Sequence, residues 1–329
     1  MMQDGVLNAV DPLHFSNTRL KVPRTELPEG AELGDELGCG ANNRVFEIEW
    51  SGEQRALRVP RRKSETQHAD AARIEARYTI MAANAGVAPK LHAIWYARHA
   101  RARFPSGLYL VTDLYERTLD DAMIQDETRE VYLENVEEIG NQILSHISAL
   151  ARNRLLCTDL KPTNVLVSGL DDDDDDDDDD AERSVDVKLI DFGREFCEHA
   201  SDAIDRRAPT IDFLTALVKS KEPDLSSEEH AAVVEHVLFA LMLVTFSAVT
   251  TKSLHADRHQ HRLSKSMRAR VHPLSARCSK YLAGLQGKHR AYLRAVMRTD
   301  EVRDVLSHYH GRRNAGTRRT LRYAVGAEN

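Results

Sequence analysis

Apolar and polar residues alternate from Phe46 to Trp50, with Glu47 and Glu49 between Phe46, Ile48 and Trp50. A period of two predicts a strand with one face on a core. Ser51-Gly52-Glu53 predicts a turn into a second strand, Ala56–Val59, and the two read as a hairpin. A strand over 31–37 precedes them, and the Ala-, Arg- and Glu-rich stretch 66–84 predicts a helix. The apolar runs 89–96 and 107–112 predict two more strands. From Leu119 onward the chain reads mostly as helix. Ile139, Ile143, Leu144, Ile147 and Leu150 recur at helical spacing within 136–151. A small hairpin, 164–167 with 185–190, interrupts the helices. Residues 231–249 are strongly apolar and near membrane-spanning length, but Glu235 and His236 interrupt them. A buried core helix is expected there, and no membrane span. Residues 1–30 carry Pro12, Pro23 and Pro28 with little periodicity and predict an extended leader. Met1–Ser16 has no basic flank followed by an apolar run, so no secretory signal is expected.

Composition adds few constraints. A chain of 329 residues is long enough for one two-lobed domain or two smaller ones. Hydrophobic content of 42% with 29% charged residues fits a soluble globular protein. Cys39, Cys157, Cys197 and Cys278 lie far apart along the chain without a Cys-x-x-Cys pair. Reduced thiols in an intracellular protein, cytoplasmic or nuclear, are the expectation. The basic clusters Arg61-Arg62-Lys63 and Arg312-Arg313, which bear on nuclear placement, are short.

Charge is distributed unevenly. Residues 171–180 are ten consecutive Asp, and without them the net charge would be +3 rather than −7. Ten like charges repel one another and cannot be buried unpaired, so a disordered, solvated insertion in a surface loop is expected. A divalent-ion buffer is the alternative. Residues 252–323 hold 18 Lys and Arg against 4 Asp and Glu, with seven His besides. Such a stretch suits nucleic acid, an acidic substrate or anionic lipid. It suits equally the solvated faces of ordinary helices, because the charges are spread out with few aromatics among them. His255, His259 and His261 lack a Cys or carboxylate frame, which favours a solvated basic helix over a metal site.

The chemistry is concentrated in two short motifs. Asp159-Leu160-Lys161-Pro162-Thr163-Asn164 is followed, 32 residues from Asp159, by Asp191-Phe192-Gly193 at the end of an apolar strand. An Asp can orient an acceptor hydroxyl and take its proton, and an Asn with a second Asp can hold Mg²⁺, which demands oxygen ligands. Upstream, Gly38-Cys39-Gly40-Ala41-Asn42-Asn43-Arg44-Val45 leads into the alternating strand rather than into a helix. A dinucleotide fold would run from its glycines into a helix.

Over roughly residues 31–193 the chain resembles the eukaryotic-type protein kinases. The resemblance implies an α+β, two-lobed protein-kinase-like fold. Its N-lobe, 31–111, would be a small antiparallel sheet with one helix. Its C-lobe, 112–310, would be mainly helical with the poly-Asp insertion at 171–180, and 311–329 a basic tail. ATP and Mg²⁺ are the implied cofactors and a protein the implied substrate. Gly38 and Gly40 would cover phosphates, Val45 and Ala56 would roof the adenine and Leu166 would floor it. Thr112 would sit at the back of the pocket, and Asp113 to Tyr115 would be the hinge. Glu75 would pair with the cation of the third strand. Asp159 would be the catalytic base, Lys161 a phosphate-stabilising cation, and Asn164 and Asp191 the metal ligands. Lys161 favours Ser/Thr over Tyr specificity.

The departures are as specific as the matches. Arg58 stands where the family has Lys, and Asn43 where it has a third glycine; Asn tolerates left-handed backbone, which would preserve the loop. Cys157-Thr158 replaces the usual His-Arg. No Ala-Pro-Glu follows Gly193, and Arg206-Arg207-Ala208-Pro209-Thr210 is the nearest stretch. A pseudokinase scaffold and a small-molecule phosphotransferase are therefore the alternative readings.

Overall fold

The computed structural model describes residues 27–28, 30–40, 42–61, 69–97, 105–170, 184–193, 197–199, 211, 215–216, 219–220 and 224–256. The poly-Asp run, the basic region beyond residue 256, Arg206–Thr210 and nearly all of the leader lie outside them. The architecture is α+β, with a five-stranded antiparallel sheet and a few helices. The chain divides into two compact units, Met1–Glu116 with Leu189–Glu195 and Arg117–Lys188 with Phe196–Asn329.

The first unit holds strands β1 (Glu32–Cys39), β2 (Asn43–Trp50), β3 (Glu53–Pro60), β4 (Leu91–Ala97) and β5 (Gly107–Asp113), ordered β1-β2-β3-β5-β4. The β2–β3 turn carries positive φ at Ser51 (60°) and Gly52 (78°), the backbone that a two-residue hairpin turn of matching twist requires. Strict alternation then sorts side chains to two faces. Phe46, Ile48, Leu57 and Val59 join Ala93, Trp95, Tyr109 and Val111 on one face. Leu108, Leu110, Ile94 and Tyr96 pack on the other with Ala72, Ala76 and Ile80 of helix α1 (Ala69–Asn84). Small alanines at helical spacing let the helix approach the sheet closely.

The second unit is mainly helical. It contains α2 (Leu119–Ile124), α3 (Asp126–Arg152) and α4 (Ser227–Ala256). Thr118 caps α2 by accepting from Asp121 N. Ser226 and Glu229 bond reciprocally at the start of α4, a capping box that satisfies two helix-terminal donors. Val233, Val237, Leu238, Phe239, Leu241 and Met242 of α4 are all buried, as expected for a core helix. Among the described residues no helix is long and apolar enough to cross a membrane.

The small hairpin expected at 164–167 and 185–190 is part of a three-stranded sheet. Its strands are β6 (Arg117–Thr118), β8 (Val165–Ser168) and β9 (Asp186–Leu189), in the order β6-β8-β9. Gly169 has φ +83°, and a Cβ there would stand 2.9 Å from Ser184 O. The two flanks of the poly-Asp run are thus held close together. A further ladder pairs β7 (Leu155–Cys157) with β10 (Cys197–His199). It sets Cys157 opposite Cys197 with sulfurs 2.8 Å apart, so two thiols distant in sequence are neighbours in space.

Candidate functional site

The residues singled out by the motifs fall in both units. In the first, β3 alternation turns Leu57 and Val59 into the core and Arg58 to the α1 face. Ladder partners share a face: Arg58 lies opposite Val45 and Leu110, and Ala56 opposite Glu47 and Thr112. Val45, Ala56, Arg58 and Thr112 therefore occupy one face of the sheet.

Glu75, on the sheet-facing side of α1 between Ala72 and Ala76, is only 2% exposed. Arg58 Nη2 donates to Glu75 Oε1 in a salt bridge. Burial pushes the Glu75 carboxyl up, and the Arg58 charge and hydrogen bond pull against it. Burial pulls the Arg58 guanidinium down, but Glu75 and Asp191 together hold it above its ordinary value. The carboxylate of Asp191 thus acts on the same pair. Leu189 N donates to Val87 O at 2.8 Å, which fastens the start of the Asp191 segment to this unit. Asp191 has φ +69°. A non-glycine residue held in that region stores strain of about 1–3 kcal/mol, and such residues cluster where function needs them.

Neither backbone angle nor lack of space among the described residues requires glycine at Gly38 or Gly40. Neither Gly38 nor Gly40 has left-handed φ, a Cβ on Gly38 would meet nothing within 4 Å, and one on Gly40 would meet only Asn43 O at 3.7 Å. Gly40 N donates to Asn43 O at 2.8 Å, and Arg61 Nη1 to Gly40 O at 2.7 Å, which tie the turn down. Asn43 corrects one expectation. It is the first residue of β2, and among the described non-glycine residues only Ser51, Arg154 and Asp191 have positive φ. Left-handed tolerance is therefore not what Asn43 contributes.

At the end of β5, Asp113 N donates to Lys90 O and its carbonyl accepts from Thr112 Oγ1, both at 3.1 Å. The Asp113 N–H is thereby committed, while the carbonyl keeps a second lone pair. Its carboxylate sits 2.5 Å from His92 Nε2. Tyr115 is half-buried beyond it.

In the second unit the polar side chains of the motif bond to one another within a short loop. Lys161 Nζ donates to Asp159 Oδ2 at 2.6 Å. Pro162–Asn164 forms a 3-10 turn, in which Asn164 N donates to Lys161 O at 2.8 Å. Asn164 Nδ2 donates to Asp159 O at 3.0 Å and to Asp159 Oδ2 at 3.2 Å. That leaves Oδ1 as the Asn164 atom suited to a cation. Leu166 follows on β8, half-buried between buried Val165 and Val167. Among the described residues no group of three His, Cys, Asp or Glu gathers as a metal cluster. The Asn164 amide oxygen and the Asp191 carboxylate are each of a chemical kind that Mg²⁺ takes as ligand.

Two α3 side chains that motif reasoning passed over hold the β9 edge. Gln142 Nε2 donates to Val185 O (2.5 Å), Val187 N donates to Gln142 Oε1 (3.0 Å), and His146 Nε2 donates to Val187 O (2.7 Å). Their four-residue spacing is the only sequence signal, and it is common to any helix face.

No protein-family model matches the chain, and no curated protein matches it.

Proposed function

We propose that the chain is a two-lobed, protein-kinase-like phosphotransferase that moves the terminal phosphoryl group of ATP to a protein hydroxyl of the Ser/Thr type. The observation that carries the reading is the salt bridge of half-buried Arg58 to buried Glu75, acted on by Asp191. Desolvation offsets most of what such a pair gains from its mutual attraction, so stability alone does not account for its placement. The open space beside Gly38 and Gly40 supports the reading, because bare backbone there suits close approach by a ligand.

In this reading Arg58 donates to phosphate oxygens while Glu75 holds it. Val45 and Ala56 would pack on the adenine, with backbone groups of the Asp113–Tyr115 segment as its hydrogen-bond partners. Asp159 accepts the proton of the acceptor hydroxyl as its oxygen bonds phosphorus and the bond to the departing ADP breaks. Lys161, in contact with Asp159, balances charge on the transferring group. Asn164 and Asp191 would hold Mg²⁺, which supplies charge neutralisation at the phosphates.

One observation favours a second reading, a pseudokinase scaffold: Arg58 already has Glu75 as a partner and is bulkier than a lysine. Incubation with Mg²⁺, γ-labelled ATP and a mixed Ser, Thr and Tyr peptide library separates the two. Label on Ser and Thr is expected, lost in Asp159→Asn at an unchanged melting temperature. Absence of transfer by wild type that MgATP still stabilises would favour the scaffold. A fully active Asp159→Asn would remove Asp159 from the chemistry.

A further inference from the structure

Arg58 is held on more than one side. Val45 lies opposite Arg58 in the β2–β3 ladder, so Asn43, two residues earlier, is its diagonal neighbour on the same face. In the amide orientation that satisfies both of its neighbours, Asn43 Nδ2 donates to Asn42 O at 3.1 Å. Its Oδ1 accepts from Arg58 Nη2 at 2.8 Å and Nε at 3.0 Å. The same Nη2 donates to Glu75. One edge of the guanidinium, Nε with Nη2, is therefore committed to an amide on the flap strand and a carboxylate on α1. Nη1 makes no hydrogen bond among the described residues.

A guanidinium on a flexible stem has many ways to sit. An acceptor that takes Nε and Nη2 together fixes both its position and its plane. An ammonium has no such edge to grip. Asn43 grips an edge that only an Arg offers, and its carbonyl oxygen adds to the hold that Glu75 has on Arg58.

We propose that Asn43 is the positioning residue of Arg58. It locks the Nε–Nη2 edge so that Nη1 is presented to an anion. The identity of that anion as a nucleotide phosphate rests on the phosphotransferase reading, whereas the coupling of Asn43 to Arg58 does not.

The test is a double-mutant cycle of Asn43→Ala, Arg58→Lys and both together in the full chain. It has two readouts: melting temperature without nucleotide, and apparent affinity for MgATP from the concentration dependence of melting. Asn43 is in ordinary extended backbone, so Ala removes only the side chain. In the Arg58 background Asn43→Ala is expected to weaken MgATP about tenfold, the effect of one hydrogen bond to a charged group. In the Arg58→Lys background it is expected to weaken MgATP less than about twofold, and its effect on melting without nucleotide is expected to shrink likewise. A merely structural Asn43 would lower melting equally in both backgrounds and leave MgATP affinity unchanged, which overturns the proposal. If wild type gives no MgATP response, the phosphotransferase reading fails, and melting without nucleotide alone decides Asn43. Non-additive melting then upholds the coupling, and additive melting ends it.

Discussion

The two units hold their candidate residues in opposite ways. In the first, Arg58 and Glu75 are 17 residues apart and come from a strand and a helix. Glu75 is 2% exposed, so fold and site depend on each other there. In the second, Lys161 is two residues from Asp159 and Asn164 five, within one loop. The polar side chains of that loop bond to one another, while buried Leu160 and Asn164 anchor it where it packs on α2 and α4. Substitutions at the Arg58–Glu75 pair should therefore be felt first as stability, and substitution of Asp159 as chemistry.

The largest expected effect tests the loop. Asp159→Asn should lower phosphoryl transfer on the order of 100- to 10,000-fold, the contribution of a positioned general base. Its melting temperature should stay close to wild type. Marked destabilisation of that variant would break the comparison, since it would make the loop as dependent on its surroundings as the buried pair.

Next comes the pair. Glu75→Ala leaves Arg58 facing the core side of α1 without its carboxylate and should cost about 3–5 kcal/mol in urea unfolding. Replacing both residues together, Arg58→Met with Glu75→Leu, should cost less than the single change, because no uncompensated charge remains. A single variant as stable as the wild type would mean that the charge is solvated rather than buried.

Gly169→Ala sharpens the contrast inside the second unit, where this one position makes a close approach to a residue 15 positions away. With φ +83° and Ser184 O 2.9 Å from the added Cβ, it should cost about 1–3 kcal/mol. Calorimetry of the purified variant checks it.

The smallest effect is a pH dependence. Burial pulls the His146 imidazole below its ordinary 6.5, only partly opposed by its bond to Val187 O. Protonation then favours the unfolded chain. The contribution of His146 is full above pH 6.5 and is lost as pH falls through the lowered value. His146→Gln keeps a donor for Val187 O and does not titrate. Its stability should fall less steeply than wild type over that range, and identical slopes would place the acid sensitivity elsewhere.

What was legible in the sequence follows the same division. The grouping of Asp159, Lys161 and Asn164 could be read directly because at most five residues separate them. The faces of β2 and β3 were legible from alternation, which put Arg58 opposite the core-facing Leu57 and Val59. The Asn43–Arg58 contact was not, since it depends on ladder register, and the one signal was that both positions depart from the pattern around them. Strands of two and three residues, such as β6 and β10, are too short to show a period. Pairing of Cys157 with Cys197 spans 40 residues and left no trace in spacing.

The most direct test of the central claim is thermal melting with ATP, with and without Mg²⁺, for wild type and Asp191→Ala. At about 100 times its dissociation constant the nucleotide should add about 2.7 kcal/mol to stability. The account expects a Mg²⁺-dependent rise in wild type that is lost in the variant. No rise at saturating ATP, or an equal rise in both proteins, would contradict it.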